Sequence, residues 1–219
     1  MQEGRRPLES DSFAEVLAAA RAGEAWAAET LFVDLQPRLL RFLRSAEPRM
    51  ADDLAGEVWL AMARGLATFE GDLAGFRAWV FTIARRRLAD HRRTAVRRAT
   101  DPVDHEFFRD RSNSEPGDDN MSIVTDRMSA QEAVDLIVAT LPADQSEVLV
   151  LRIVADLDVA HVAEMMGRTS NWVRVTQHRA LRRLAEALDG DRSGVASDAD
   201  ATTPAALSSV VGGVFEQFS

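Results

Sequence analysis

Apolar side chains recur every three or four residues through most of this chain, which is the spacing of one face of an α-helix. Residues 12–44 carry two such stripes on either side of a break near Gly23, and they show none of the alternation that is typical of β-strands. The pattern therefore predicts an all-α protein. The predicted helices lie within residues 12–44, 50–66, 76–93 and 128–188.

Two stretches lack this spacing and divide the chain. Residues 99–127 are acidic and rich in Pro, Gly, Asn and Ser, so they are predicted to form a flexible linker. Residues 189–219 are predicted to be a disordered C-terminal extension. A short apolar patch at 207–218 leaves open a tail that folds back or is recognised by a partner. Two small helical domains remain, residues 12–98 and 128–188.

The second domain contains a pattern of two short helices joined by a glycine turn. Asp158 is placed to cap the first helix, because its carboxylate can accept hydrogen bonds from first-turn amides. Gly167 supplies the backbone freedom of a sharp turn, and Thr169 or Ser170 can cap the second helix. The pattern is typical of a helix-turn-helix.

The second of these helices is rich in side chains that bind DNA. Residues 168–183 include five arginines and no acidic residue. Arg reads guanine edges, Asn and Gln read adenine, and further arginines hold phosphates. These features indicate major-groove recognition, and a solvated basic face on an ordinary helical hairpin stays open as the alternative. The side chains predicted to point away from the core are Asn171, Arg174, Gln177, His178, Arg179, Arg182 and Arg183.

The first domain has a basic helix of its own, which follows a predicted loop at residues 67–75. Between residues 77 and 98 there are eight arginines and one acidic residue, Asp90. Aromatic and apolar residues occupy the opposite arc, on which Arg87 is the one misfit. Aromatic rings beside a basic helix face are typical of surfaces that bind single-stranded nucleic acid, because bases stack on the rings and the basic side chains hold the phosphates. The plainer alternative is a core-facing arc with arginines that only keep the helix soluble.

The helix at residues 50–66 carries acids on one face. Asp53 and Glu57 lie four residues apart, and Asp52 sits in the first turn, where the helix dipole favours negative charge. Two interpretations follow from this arrangement. The acids form either a solvated surface or a docking patch for a basic partner.

Composition narrows the function further. The net charge of −9 argues against a nucleic-acid partner for the chain as a whole. The positive and negative residues are segregated along the chain, however, and the charge of a local surface determines whether it attracts nucleic acid. With no cysteine, disulfides and thiolate metal sites are excluded. The four histidines lack metal-ligand spacing beyond a lone His161–Glu164 pair, and no phosphate-binding glycine loop or nucleophile elbow occurs. We therefore expect no enzyme, metal or cofactor. Since no membrane span or signal peptide is evident, we expect a cytoplasmic protein.

Taken together, the two halves resemble the extracytoplasmic-function (ECF, group 4) sigma factors of bacterial RNA polymerase, in the sigma-70 family. DDLAGEVWLAMARGLATFEGDLAGFRAWVFTIARRRLADHRR is similar to region 2 of that family. LPADQSEVLVLRIVADLDVAHVAEMMGRTSNWVRVTQHRALRRL is similar to region 4. The resemblance implies a monomer when free, which binds core RNA polymerase and directs initiation at promoters with −10 and −35 elements. It also implies restraint by an anti-sigma factor.

The resemblance also implies roles for individual residues. It implies that polymerase is bound by Asp52, Asp53 and Glu57. A flipped −10 base would be captured by the loop residues Thr68, Phe69, Glu70, Gly71 and Asp72. The melted non-template strand would be held by Arg77, Arg85, Arg86, Arg92 and Arg93. Contacts to the −35 element fall to Ser170, Asn171, Arg174, Val175, Gln177, His178, Arg179, Arg182 and Arg183. The acidic linker would thread the polymerase cleft.

Some positions depart from the usual family pattern. Gly56 stands where the family commonly has Gln, Asn171 where it often has Gly, and Val175-Thr176 where it often has Ser-Arg. We therefore expect weaker docking at Gly56 and an unusual −35 sequence. The alternative function is a stand-alone helix-turn-helix regulator that acts without polymerase, although a basic helix in the first domain has no purpose in a sensor.

Overall fold

The computed structural model describes residues 8–100 and 129–195. Within these ranges the chain is helical and contains no strand, as the spacing predicted. Short 3₁₀ turns at Pro48–Met50 and Leu66–Thr68 and a π-helical turn at Val150–Val154 join longer helices. The longer helices are α1 (Ser10–Arg21), α2 (Ala25–Ala46), α3 (Ala51–Gly65), α4 (Leu73–Thr100), α5 (Ala130–Thr140), α6 (Ala143–Leu149), α7 (Val159–Met166) and α8 (Ser170–Val195).

Helices α1 to α4 form the first domain, in which α2 packs against the other three. Two aromatic pairs bring the helices together in its core. The rings of Phe13 and Phe76 lie 5.3 Å apart, and those of Phe42 and Phe81 meet edge to face at 5.5 Å. Helix α2 continues through Pro37. The side chains of the predicted apolar stripes therefore make the packing contacts that position α3 and α4.

Helices α5 to α8 form the second domain. Ser129 and Glu132 make a capping box at the start of α5, in which each side chain accepts a hydrogen bond from the other residue's backbone amide. Helix α8 packs against α5, α6 and α7. Its buried side is formed by Val173, Ala180, Leu181 and Leu184.

The two domains are in contact. Helix α2 packs against α5 and the π-helical turn, and α4 packs against α7. The buried apolar side chains of both domains form one continuous cluster. The DNA-binding and polymerase-binding surfaces predicted above thus belong to a single packed unit.

Two helices extend beyond their predicted limits. Helix α4 begins at Leu73, inside the predicted loop, because the Asp72 carboxylate accepts a hydrogen bond from the Gly75 amide at 2.8 Å and so starts the helix. Helix α8 runs to Val195, past the predicted domain end at Leu188. Residues 101–128 and 196–219, which include most of the predicted linker and tail, lie outside the described residues. No helix in the part described is both long and apolar enough to cross a membrane.

Candidate nucleic-acid and polymerase interfaces

The helix-turn-helix has the caps that the sequence predicted. Asp158 Oδ1 accepts a hydrogen bond from the His161 amide at 2.8 Å, and Thr169 Oγ1 accepts one from the Trp172 amide at 3.1 Å. Gly167 adopts the left-handed conformation, with φ 63° and ψ 38°. These contacts fix the direction of α8 relative to α7.

The Asp158 carboxylate is held in its charged form. Burial opposes this, but hydrogen bonds from the His161 and Ala160 amides and the neighbouring His161 side chain lower the pKa of Asp158 below its ordinary value. The cap is consequently ionised at neutral pH, when it accepts first-turn hydrogen bonds most strongly.

One side of α8 is exposed and carries most of the predicted DNA contacts. Their sequence intervals alternate between three and one, which places them in one stripe along the helix. The Arg168 guanidinium lies 5.2 Å from the centroid of the Trp172 ring, at the edge of this surface. The exposed set is Asn171, Arg174, Val175, His178, Arg179, Arg182 and Arg183, whereas Ser170 is half-buried.

Gln177 does not belong to this stripe. It is 7% exposed, and its Oε1 accepts a hydrogen bond from Arg152 Nε at 3.0 Å. The prediction that Gln177 faces DNA is wrong for this structure. Its position four residues after Val173 and four before Leu181 places it on the core side of α8, a signal that the sequence already contained.

The loop between α3 and α4 is anchored at both sides. Arg21 of α1 donates hydrogen bonds to the carbonyls of Leu66 (3.1 Å) and Phe69. The Phe69 ring lies 5.1 Å from the ring of Phe76 and 5.2 Å from that of Trp79. The loop is therefore held in a fixed shape by α1 and α4.

This anchoring changes the roles available to the loop residues. Phe69 packs on the aromatic cluster, and the Asp72 carboxylate caps α4. Of the five predicted loop residues, Thr68, Glu70, Gly71 and Asp72 are exposed. No pattern in the sequence indicated that Arg21 would hold this loop.

Arg77 is not available to nucleic acid in this structure. It is 8% exposed, and its guanidinium donates to both oxygens of Asp34, at 3.0 to 3.2 Å. A third donor, Nη1, reaches Asp156 of the second domain at 2.7 Å. The charge of Arg77 is thus paired inside the protein in this structure, and its guanidinium does not face solvent where a melted strand could reach it.

The other predicted strand-binding arginines differ in their surroundings. Arg85 turns towards the second domain, where Nε lies 2.7 Å from Glu147 Oε1 and Nη1 donates to the Met165 carbonyl. Arg92 pairs with Glu47 at 2.9 Å, and Arg93 pairs with Asp90. Arg86, Arg92 and Arg93 are exposed. Together with Arg97, which is also exposed, these three give α4 a basic surface that solvent can reach.

A groove of about 800 Å³ follows this surface between α4 and α7. Trp79, Ile83 and Met165 give it apolar walls. The arginines of α4 line one side, and Glu147 and Glu164 line the other.

The predicted docking acids are exposed on α3. Asp52 lies 3.6 Å from Arg44, and Glu57 lies 3.8 Å from Arg87. The second pair explains the misplaced arginine of α4, because the Arg87 side chain reaches out to α3 instead of entering the core. These are long, solvent-exposed ion pairs, which a partner can displace at little cost.

Three large apolar side chains of the first domain are also exposed, which the sequence did not reveal. Trp26 and Phe32 are each 47% exposed and Leu60 is 59% exposed. The Phe32 ring lies 5.1 Å from the ring of Trp59, whose Nε1 donates to Gln36 at 2.6 Å. Leu60 follows Asp53 and Glu57 at helical spacing, so acids and apolar groups share one surface, as at protein interfaces.

Among residues 8–100 and 129–195 no group of three His, Asp or Glu side chains could hold a metal ion.

Comparisons with known proteins assign a family to both domains. The family Sigma-70 region 2 matches residues 31–98, and Sigma-70, region 4 matches residues 131–184. The ECF RNA polymerase sigma factor SigD of Mycobacterium tuberculosis is 31% identical over 185 residues, which cover 82% of this chain and 85% of the relative. The ECF RNA polymerase sigma factor ShbA of Streptomyces griseus is 32% identical over 170 residues, covering 74% and 87%.

A solved structure shares the fold. CnrH, in its complex with the cytosolic domain of CnrY, aligns with a TM-score of 0.52 at 19% identity, covering 83% of this chain and 99% of that one. Both family regions occur here in order, each on the helices that the sequence assigned to it. The chain therefore belongs to the ECF sigma factors of the sigma-70 family, the non-enzymatic factors that direct transcription initiation by bacterial RNA polymerase.

Proposed function

We propose that this chain docks on core RNA polymerase through α3, holds the melted −10 strand on α4, and reads the −35 element with α8. The observation that carries the proposal is the exposed stripe of α8, in which Asn171, Arg174, His178 and Arg179 follow a capped helix-turn-helix. Such a stripe fits the major groove, where Arg and Asn recognise guanine and adenine edges.

The docking surface in this proposal is larger than the acids alone. It consists of Asp52, Asp53 and Glu57 together with Leu60 on the same helix and Phe32, whose ring packs on Trp59 of α3. Exposed apolar side chains beside charges supply affinity, while the charges supply orientation and association rate. Gly56, in the middle of the acids, offers no side chain of its own.

The −10 strand is assigned to the exposed arginines of α4 and to the anchored loop. Arg86, Arg92 and Arg93 would hold phosphates, and Thr68, Glu70 and Gly71 would face an unstacked base. Arg85 belongs to this set once it leaves Glu147. The proposed place of action is the cytoplasm, where polymerase and promoter DNA are found, and an anti-sigma protein that covers these surfaces is part of the proposal.

A binding experiment with purified core polymerase tests the docking surface. We expect Asp53→Arg/Glu57→Arg to weaken association by roughly tenfold or more, since both charges are reversed at the contact. Asp11→Arg/Glu15→Arg is a matched control, because this pair has the same spacing and is exposed on α1. Equal affinity of the docking variant and the control would contradict the assignment.

The alternative, a stand-alone regulator, makes the opposite prediction. It requires nanomolar binding to duplex DNA by the protein alone and no dependence on Asp53 or Glu57. The exposed acids and apolar groups of α3 favour the polymerase-dependent function, because a regulator that acts without polymerase has no need of a docking surface.

A further inference from the structure

Val175 is an apolar side chain in the middle of the polar stripe of α8. It is 39% exposed, and it is the one large apolar side chain that is exposed among residues 170–188. Asn171 lies one turn before it, and His178 and Arg179 lie one turn after it on the same exposed face. A group that gains free energy by leaving water therefore lies at the centre of the surface assigned to DNA.

Val175 is also the position at which this surface departs from the usual family pattern. Val175 and Thr176 stand together where the family often has Ser-Arg. Thr176 is 8% exposed and Val173 is fully buried, so both of these neighbours face the core. Of the two departures, Val175 alone is accessible to a ligand. The unusual −35 sequence expected for this chain therefore depends on this side chain.

A valine in a helix is stiff and has no hydrogen-bonding group. Its two methyl groups are held in one preferred χ1 rotamer, so they occupy a fixed place on the surface. A polar base edge brought against them loses water without gaining a partner, which is unfavourable. In the major groove the C5-methyl group of thymine is the apolar feature of the base edges, whereas guanine, adenine and cytosine present donors and acceptors. The side chain therefore favours a thymine and disfavours the other three bases.

The hydrogen-bonding neighbours of Val175 lie too far along α8 to share its base pair. Asn171 precedes it by four residues and Arg179 follows it by four. These intervals correspond to about 6 Å along the helix axis in each direction. Because successive base pairs are about 3.4 Å apart, the two polar side chains meet neighbouring pairs. The contact of Val175 with its own base pair is thus apolar.

We propose that Val175 reads the C5-methyl group of a thymine in the −35 element and makes this base pair a specificity position of the chain. The proposal rests on the proposed function, because it requires α8 to lie in the major groove. It adds to that function the identity of one base and the side chain that selects it.

Replacing thymine with uracil tests the contact, because the two bases differ only by this methyl group. Holoenzyme reconstituted from the full chain and core polymerase first selects active promoters from a library with a randomised −35 element. We expect thymine to be enriched at one position or more. Deoxyuridine is then placed singly at each selected thymine, and run-off transcription is measured at subsaturating holoenzyme. At one position we expect activity to fall about fourfold, which corresponds to the burial of one methyl-sized group.

Three variants connect this loss to Val175. In Val175→Ala the ratio of thymine to uracil activity should fall to about one, because the methyl groups that make the contact are removed. Val175→Ile retains the β-branched shape and should keep the ratio of the unaltered chain. Val138→Ala is the matched control, since Val138 is also 39% exposed but lies on α5, and it should keep that ratio as well. Thermal unfolding of each variant checks that its fold is intact.

The proposal is overturned if the selected element contains no thymine, if no thymine responds to uracil, or if Val175→Ala keeps the ratio of the unaltered chain. Equal loss of activity on both promoters in Val175→Ala would indicate a protein partner at this side chain and would also overturn it. Absence of any promoter-dependent transcript would reject the proposed function instead. The same selection and uracil comparison, made by binding of the protein alone to duplex DNA, then decides the role of Val175 separately.

Discussion

Gly65 shows how one residue without a side chain sets the packing of the aromatic cluster. A Cβ at this position would lie 2.6 Å from Cζ2 of Trp79, whereas a Cβ at Gly56, in the same helix, would meet nothing within 4 Å. Trp79 in turn lies 5.7 Å from Phe76, between ring centroids. The close approach of α3 to α4 therefore depends on the missing methyl group.

Gly65→Ala should destabilise the first domain by about 1 to 3 kcal/mol, because the Trp79 ring must move out of a packed cluster. Urea unfolding followed by tryptophan fluorescence measures the change. Gly56→Ala is the matched control and should be neutral or stabilising by up to about 1 kcal/mol, as expected for an exposed helix position. Equal effects of the two changes would show that the close contact has no role.

Asp158 is a second residue with a defined energetic role. Asp158→Ala should lower the free energy of unfolding by about 1 kcal/mol, through loss of the cap on α7, whereas Asp158→Ser should retain most of the stability. The folded pKa lies below the ordinary value. The charged carboxylate therefore contributes fully to the free energy of unfolding at pH values above the ordinary pKa. This contribution is lost as the pH falls through the lowered pKa of the folded protein. Thermal unfolding between pH 7 and pH 3, compared with the alanine variant, tests this sign.

Residue-scale predictions from the sequence succeeded where the signal is local. Asp158 and Gly167 act within a few residues of their own positions, so turn and cap rules identified them. Gln177 was assigned to DNA by residue type and Arg77 through the family resemblance, although each falls at helical spacing with buried neighbours. Arg77 precedes Phe81 and Ala84 by four and seven residues, and its partner Asp34 is distant in the sequence. In both assignments the helical spacing with buried neighbours, which predicts a core-facing side chain, was given too little weight.

At the scale of elements, the loop before α4 depends on α1. Arg21→Ala removes donors to the Leu66 and Phe69 carbonyls, so the loop should lose about 1 to 2 kcal/mol of local stability. Hydrogen exchange of amides 66–72 should become faster, with little change in α2. Arg49→Ala, at an exposed position outside the loop, is the control. Unchanged exchange in the Arg21 variant would mean that Phe69 alone holds the loop.

Helix α8 separates recognition from stability along its two sides. Arg174→Ala should leave the unfolding free energy unchanged and reduce transcription from a −35-dependent promoter, by the roughly 1 to 3 kcal/mol of one base contact. Gln177→Ala should lower the free energy of unfolding by about 1 to 3 kcal/mol, because Nε of the half-buried Arg152 loses its acceptor. Paired unfolding and run-off measurements distinguish the two. Equal loss of stability in both variants would contradict the division of α8 into two sides.

Element boundaries were predicted less well than element type. Gly75 suggested a loop, yet it lies in the first turn of α4 because Asp72 satisfies its amide. The polar residues after Leu188 suggested a tail, although the backbone of α8 continues to Val195. Caps depend on one side chain and its geometry, which periodicity alone does not contain.

For the whole molecule, segregated charge explains how a chain with a net charge of −9 can act on DNA. Exposed arginines line α4 and α8, and the acids Asp52, Asp53 and Glu57 are exposed on α3. The sequence predicted exposed charges on these three helices and the order of the domains. It did not predict the contact between domains, because the pairs Arg77–Asp156 and Arg85–Glu147 join residues far apart in the chain.

The central claim is that α3 docks this chain on polymerase so that α4 and α8 can engage a promoter. Run-off transcription with purified core polymerase tests it most directly. A discrete transcript should appear only when this protein is added and should be lost with Asp53→Arg/Glu57→Arg but not with Asp11→Arg/Glu15→Arg. No promoter-dependent transcript, together with nanomolar binding of the protein alone to duplex DNA, would contradict the account and indicate a stand-alone regulator.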